Sequence, residues 1–359
     1  MTAASPDSSS PQSAPVLVTG ASGYLGSWIV KKLLEQGHTV HATVRDPARA
    51  TSVSHLKAVA AQSPGTLKLF KADLLQPGSF VAAMQGCGVV IHTASPFVIT
   101  GITDPQRELV DPALQGTRNV LDAVDQTPSV KRVVLTSSVA AIYGDNADGL
   151  NLPGRRFDET VWNRSSSLHH QPYSYSKTVA EEEAWKRVNA QTRWQLVTIN
   201  PGLIFGPALS KGSQSGSIDT LKQFGNGTLL LGAPDLHLGV VDVQDVAEAH
   251  VRAAFAPQAN GRYIVNERSM SLLEMGQTLR ARLGRKYPFP TRLVPKMGFW
   301  LVAPVLGHSR RFVQRNVGIP IEFDNRRSRE ELGLQYHDVR EALVAHFQQL
   351  VDYGIVRQR

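Results

Sequence analysis

One cysteine, Cys87, is all that the 359-residue sequence contains, so no intrachain disulfide can form and a thiol-rich metal site is excluded. No metal is expected, and a reducing cytoplasm suits such a chain. Long apolar runs are missing too. Residues 297–307 are the most apolar late stretch, yet they number eleven and include Pro304, against the roughly 20 apolar residues of a membrane-spanning helix. No membrane partner is expected. Residues 1–14 are rich in Ser, Pro and Ala and hold no Lys or Arg; they lack the regions of a signal peptide and read as a disordered tail.

What is present is an ordinary globular composition, 42% hydrophobic and 19% charged, which excludes wholesale disorder. The length allows one large or two modest domains. The formal net charge is +8, and the whole excess lies in residues 280–359, where 15 Lys and Arg face 7 Asp and Glu. A basic balance raises nucleic acid as a partner. Pairs such as Arg310/Arg311 and Arg326/Arg327 face either an anion or water, and solvated surface is the commoner case for isolated charge runs. Nucleic acid is not expected.

Short β-rich runs alternate with amphipathic stretches from Pro15 onward, the pattern of βαβ units around a parallel sheet. Strands are expected at 16–18, 39–44, 67–70, 89–92, 133–136 and 196–199. Leu25, Ile29 and Leu33 recur at helical spacing, with Gly37 as a stop. The fold class expected is α/β: a doubly wound, Rossmann-type parallel sheet with a smaller C-terminal substrate lobe. Residues 15–204 are expected to hold mainly the nucleotide-binding domain and the catalytic residues. Residues 205–359 are expected to form mainly the substrate lobe, with some elements returning to the first domain, a loop around 211–217, and helices near 243–255 and 272–283.

Thr19-Gly20-Ala21-Ser22-Gly23-Tyr24-Leu25-Gly26 follows the first strand and opens the first helix. Gly20 permits a tight turn, Gly23 lets a diphosphate approach the backbone, Gly26 allows close packing, and the helix N-terminus attracts negative charge. A simple turn would need neither the preceding strand nor the following helix. At the end of the second strand stands Arg45, where an acid would accept a ribose 2′-hydroxyl and an arginine accommodates a 2′-phosphate. Asp46 comes next and blurs the reading, but Arg45 can grip phosphate bidentately and Arg49 is near enough to assist. NADP(H) is the expected cofactor.

Tyr173 and Lys177 stand four residues apart after Pro172, on one face of an expected helix. A neighbouring ammonium favours phenolate and draws a tyrosine toward useful acid–base chemistry. A Tyr and a Lys at this spacing also arise by chance, so position carries the argument. About 35 residues upstream Leu135-Thr136-Ser137-Ser138 closes a strand, at the end where open α/β sheets place their chemistry. Both serines are candidates for that chemistry, with turn hydrogen bonding the more common reading for Ser137 and the less common one for Ser138, and His92 reads as a core residue.

Together these residues resemble the short-chain dehydrogenase/reductase superfamily in its extended branch, the NAD-dependent epimerase/dehydratase family, whose glycine motif has this form and whose catalytic set is Ser, Tyr and Lys. His92-Thr93-Ala94-Ser95-Pro96-Phe97 and Asn200-Pro201-Gly202-Leu203-Ile204-Phe205-Gly206-Pro207 look like the dihydroflavonol reductase and cinnamoyl-CoA reductase subgroup. The resemblance implies Ser138, Tyr173 and Lys177 as catalytic residues. It implies Gly20, Ser22, Gly23, Tyr24, Leu25 and Gly26 at the diphosphate, Arg45 at the 2′-phosphate, and Asp73 and Leu74 at the adenine. Thr93, Ala94 and Ser95 would line the cleft, with Lys177, Pro201 and Ile204 beside the nicotinamide. Phe97, Tyr143, Phe205 and Leu209 are expected in an apolar substrate wall. The implied activity is NADPH-dependent reduction of a small aldehyde or ketone by a monomer or homodimer. An NAD-dependent sugar-nucleotide epimerase/dehydratase, a hydroxysteroid-type dehydrogenase and a non-catalytic nucleotide sensor remain as alternatives.

Overall fold

Val16, Leu17, Val18 and Thr19 are all buried in full, the mark of a strand covered on both faces. They form β1 (Val16–Thr19) in the interior of the main sheet in a computed structural model that describes residues 14–95 and 102–357. In chain order there follow α1 (Tyr24–Glu35), β2 (Thr39–Val44), α2 (Ala50–Ala61), β3 (Thr66–Lys71), α3 (Val81–Met84), β4 (Val89–His92), α4 (Asp111–Asp125) and β5 (Arg132–Thr136). Next come β6 (Arg156–Phe157), α5 (Pro172–Asn189), β7 (Gln195–Pro201), β8 (Leu203–Phe205), α6 (Gly216–Asn226), β9 (His237–Asp242), α7 (Val243–Phe255) and β10 (Gly261–Val265). The chain finishes with β11 (Arg268–Ser271), α8 (Leu272–Leu283), α9 (Lys296–Val302), α10 (Arg310–Asn316), β12 (Glu322–Phe323), α11 (Arg326–Glu330) and α12 (Val339–Asp352).

Seven strands pair in the order β10-β7-β5-β4-β1-β2-β3, and every pairing is parallel. The chain moves outward from β1 to β3, then crosses back to β4. Strand order therefore reverses between β1 and β4, which opens a crevice above their C-terminal ends. The α/β doubly wound fold expected from the sequence is the fold observed. A second sheet, β11-β9-β8, carries the smaller lobe.

Helix α1 shows why the layers hold. Leu25, Ile29, Val30, Leu33 and Leu34 are buried, a stripe at helical spacing that packs with the strands and with α7 in one apolar cluster. Truncating one such side chain to Ala costs about 2–5 kcal/mol. The polar edge of α1 reaches the second lobe: the Tyr24 hydroxyl donates to the Gly206 carbonyl at 2.6 Å, and Trp28 Nε1 to that of Pro207 at 2.8 Å.

Two expectations change. The loop around 211–217 ends earlier, because Ser215 caps α6 by accepting the Ile218 N–H at 3.3 Å. The seventh strand, β10, was not anticipated, since the buried Arg262 interrupts the apolar run of Gly-Arg-Tyr-Ile-Val.

His92, His250 and His346 are enclosed, and burial pushes their imidazoles down to about 3, about 4 and about 4; for His92 the charge of Lys177 adds to the effect. All three values lie below the usual 6.5, so the unfolded chain binds more protons below that pH. Their contribution to stability is complete above about pH 6.5 and drains as pH falls toward 4. Buried Asp242, Asp245 and Glu159, raised by burial, act in the opposite sense, so a difference between variants isolates one imidazole. Between pH 6 and 4, denaturant titrations of His250→Gln are expected to show a pH slope different from that of the parent by up to about 1.4 kcal/mol per pH unit; parallel curves would place no buried neutral imidazole at that position.

Candidate active site

The crevice above β1 and β4 opens into a cleft of about 1780 Å³, and its two ends differ chemically. At one end lies the glycine turn. Gly20 adopts φ +66°, and a Cβ there would lie 2.9 Å from Ala94 Cα; at Gly26 it would lie 2.3 Å from the Gly20 carbonyl oxygen. Neither position tolerates a side chain. Gly23 differs: the one atom within 4 Å of its Cβ would be the Gly20 oxygen at 3.1 Å, so the added carbon would project into the cleft. A ligand that approaches this backbone closely needs that space. Around it stand Ser22, Leu25 and the first turn of α1, whose N-terminus favours an anion. Tyr24 also lines the cleft, but its hydroxyl is engaged by Gly206.

Thr19 fixes the neighbouring wall. Its Oγ1 lies 2.8 Å from His92 Nδ1 and accepts the N–H groups of Thr93 and Ala94 at 3.2 and 3.1 Å. Thr93, Ala94 and Ser95 are thereby held at the end of β4, along the cleft. Buried His92 is the core residue expected. Asp73 and Leu74 line the cleft beyond β3, where the Asp73 carboxylate accepts the Leu75 N–H at 2.9 Å.

Arg45 and Arg49 also line it, and neither forms an ion pair among the described residues. Asp46 does not compete. Its carboxylate folds back to accept the Ala48 N–H at 3.0 Å and takes no part in the lining. This end is therefore cationic, and α2 adds Thr51, Ser52 and His55, which sequence reasoning did not single out.

At the other end Ser138, Tyr173 and Lys177 share one wall. Ser138 caps a short turn by accepting the Ala140 N–H at 3.1 Å, which leaves its O–H to donate. Tyr173 and Lys177 lie in the first two turns of α5, with the Lys177 ammonium 5.7 Å from the phenol ring centre. Lys177 Nζ donates to Ser95 Oγ at 3.0 Å, bridging the two walls. Pro201, Ile204, Leu209 and Tyr143 line the cleft nearby, joined by Leu203, Leu236, Leu238 and Phe312.

Phe205 does not. It is fully buried in the core of the second lobe with Ile218, Leu221 and Phe224, edge-on to His346, whereas its neighbour Ile204 reaches the cleft. Phe97 lies outside the described residues.

Beneath the serine wall sits a group that sequence reasoning passed over. Glu181, eight residues after Tyr173 on α5, is a fully enclosed carboxylate that accepts from Arg262 Nε at 2.7 Å, Asn200 Nδ2 at 2.8 Å and the Ser137 hydroxyl. Asn200 also donates to the Ser138 carbonyl at 3.1 Å, and Arg262 to those of Val161 at 2.6 Å and Ala141 at 3.3 Å. Arg262 further stacks at 3.9 Å on Trp162. The signal available was spacing: Glu181 repeats the face of Tyr173 and Lys177.

The model of the NAD dependent epimerase/dehydratase family matches residues 16–266. The chain belongs to this family. Within it, the chain is 43% identical over 270 residues to a cinnamoyl-CoA reductase of Medicago truncatula, covering 74% of this chain and 79% of that protein. It is 38% identical over 289 residues to tetraketide alpha-pyrone reductase 1 of Arabidopsis thaliana, covering 78% and 83%. Among solved structures, Gre2 from Candida albicans in complex with NADPH superposes with a TM-score of 0.73 at 27% identity, covering 95% of this chain and 99% of that one. The family and the reductase subgroup read from the sequence are borne out.

Removing the charge of Glu181 while keeping its shape would strand a buried guanidinium. Glu181→Gln is expected to destabilise the protein by about 3–5 kcal/mol in denaturant titration; a loss below about 1 kcal/mol would show that Arg262 finds water or another acid instead.

Proposed function

We propose that the protein is an NADPH-dependent reductase of small aldehydes or ketones, and one observation carries the reading: a cleft with a glycine cradle and arginines that form no ion pair among the described residues at one end is lined by a serine, a tyrosine and a lysine at the other. The cradle suits a diphosphate, since Gly23 leaves room for a ligand and for nothing of the protein. Arg45, aided by Arg49, would hold the 2′-phosphate, and Asp73 and Leu74 would border the adenine. When bound, reduced nicotinamide supplies a hydride for a carbonyl carbon.

The residues of the chain do the rest. Ser138 donates its O–H to the carbonyl oxygen, which polarises the C=O and supports the charge that grows on oxygen. Tyr173 gives its phenolic proton to that oxygen, so the alcohol leaves neutral and the phenolate is reprotonated from solvent. Lys177 stabilises the phenolate and reaches the ribose hydroxyls beside Ser95. Pro201 and Ile204 would back the nicotinamide, and Tyr143 and Leu209 would shape the apolar end where the substrate sits. On this reading residues 15–204 bind the cofactor and carry the reactive groups, while 205–359 mainly close the substrate end. Elements α7 and β10 return to the first domain. The protein would act in the cytoplasm as a monomer or homodimer.

Loss of NADPH absorbance against a panel of aldehydes, ketones and acyl-CoA thioesters tests class and substrate together. Tyr173→Phe is expected to lower turnover ~10²–10⁴-fold and Ser138→Ala ~10²–10³-fold; near-normal turnover in the first would overturn the acid assigned here. For the cofactor, Arg45→Ala is expected to weaken NADPH binding roughly 10–100-fold, the worth of a charged hydrogen bond, and to leave NADH affinity within a few-fold. Equal losses for both cofactors would remove Arg45 from the 2′-phosphate.

A further inference from the structure

Two features of the sequence that the cleft leaves unused, the apolar run 297–307 and the cationic C-terminal part, meet on one face of the second lobe. Among the described residues eleven large hydrophobic side chains are exposed, and eight of them fall in two stretches, 230–231 and 293–306. Val305 is 89% exposed, Leu231 77% and Met297 70%. The stretches adjoin. Ala233 donates its N–H to the Arg292 carbonyl at 3.0 Å and accepts that of Val294 at 2.9 Å, and Arg292 Nε donates to the Leu231 carbonyl at 3.1 Å. Phe299 and Ala303 point inward, packing with Val313 and Val317 of the adjacent helix, so the outward residues Leu301, Val302, Val305 and Leu306 form a knob on a firm base.

Along the segment that carries the knob, charge has one sign. From Arg285 to Ile321 the chain contains seven Lys and Arg and no Asp or Glu. Arg315 pairs with Asp145 and Asp148; the other six form no ion pair among the described residues. Arg310 lies 4.3 Å over the Trp300 ring, Lys296 donates to the carbonyls of Gln314 and Val317, and Arg311 is exposed. Large apolar patches of this kind mark interaction sites.

We propose that this face docks on an anionic lipid surface. Leu301, Val305 and Leu306 enter the headgroup–acyl boundary, while Arg292, Lys296, Arg310 and Arg311 meet lipid phosphates and carboxylates. Interfacial binding grows with apolar area buried and with cationic charge held near anionic lipid. The other occupants answer half the pattern. A second copy would bring like charges together with no acid in the segment to receive them, and a nucleic acid would leave the knob uncovered. No described helix is long and apolar enough to cross a membrane, so the contact is with the surface. It goes beyond the sequence expectation of no membrane partner, which rested on the lack of a membrane-spanning run. The inference stands whether or not the cleft reduces carbonyls.

Cosedimentation of the full-length protein with vesicles tests it, using phosphatidylcholine alone and phosphatidylcholine mixed with phosphatidylserine. The protein is expected to bind the mixed vesicles at least ~10-fold more strongly, and to release them as salt approaches ~0.5 M. Val305→Asp/Leu306→Asp and Arg310→Glu/Arg311→Glu are each expected to lower binding at least ~10-fold without changing melting temperature or turnover in solution. Three results would overturn the proposal: equal binding to both vesicles at low salt, binding undiminished in the Val305→Asp/Leu306→Asp variant, or self-association without lipid that this variant abolishes.

Discussion

A buried ion pair ties the helix of Tyr173 and Lys177 to the edge of the main sheet. Glu181 sits on the helix that carries Tyr173 and Lys177, and Arg262 on the outermost strand of the main sheet, 81 positions later. Two charges in such a place are stable only when their remaining valences are filled, and here the turn that presents Ser138 supplies the Ser137 hydroxyl and the Ala141 carbonyl, while the amide of Asn200 on β7 and the Val161 carbonyl supply the rest. The helix, the edge strand and the serine turn therefore share one set of bonds. Displacing any of them means exposing an unpaired charge.

Cleft electrostatics follow from which charges are left over. On the serine side Glu181 and Arg262 cancel beneath the surface, leaving neutral donors and the Lys177 ammonium at the cleft wall, with Lys211 farther along the lining. Beyond the glycine turn the reverse holds, because Asp46 is spent on its own turn and Arg45 and Arg49 keep their charge for a ligand. One end thus presents free guanidinium groups and the other hydroxyls, apolar side chains and the Lys177 ammonium. The distinction arises from where the strands end, since both walls are built on C-terminal strand termini of one parallel sheet.

Legibility of the sequence tracks distance along the chain. The glycine turn, the Tyr173–Lys177 pair and six of the seven main strands were readable because each signal is complete within a dozen residues: a spacing, an alternation, a buried run. Glu181 and Arg262 were invisible as partners, for nothing local says that a helix acid will meet an arginine in a distant strand. That same arginine hid the seventh strand by breaking its apolar pattern. Phe205 misled for a related reason. Composition places it beside Ile204, yet pleating sends neighbours to opposite faces, and only the packing of the second lobe shows which one reaches the cleft. In the C-terminal lobe, apolar content and charge were both visible, but their meeting on one face depends on a backbone pairing between Ala233 and residues 292 and 294.

Tyr173 is held from the second lobe as well. Gln171, two residues before it, adopts φ 54° and ψ 56°, a left-handed conformation that a side chain disfavours and that a following proline disfavours further. Strain of this kind persists only where surrounding contacts over-determine it. Those contacts converge on Asp145. Burial alone would raise its carboxyl, but hydrogen bonds from Asn316, Arg315, His170 and Gln171 outweigh that and hold it below the usual range. Arg315 and Asn316 belong to α10, which lines the apolar end of the cleft through Phe312 and Asn316. The start of α5 is thus anchored to α10 at the edge of the cleft, and its later turns to the sheet through Glu181. A helix clamped at both ends keeps Tyr173 in place beside the cleft, and for the reduction proposed above this is the preorganisation that proton transfer to a developing oxyanion would require.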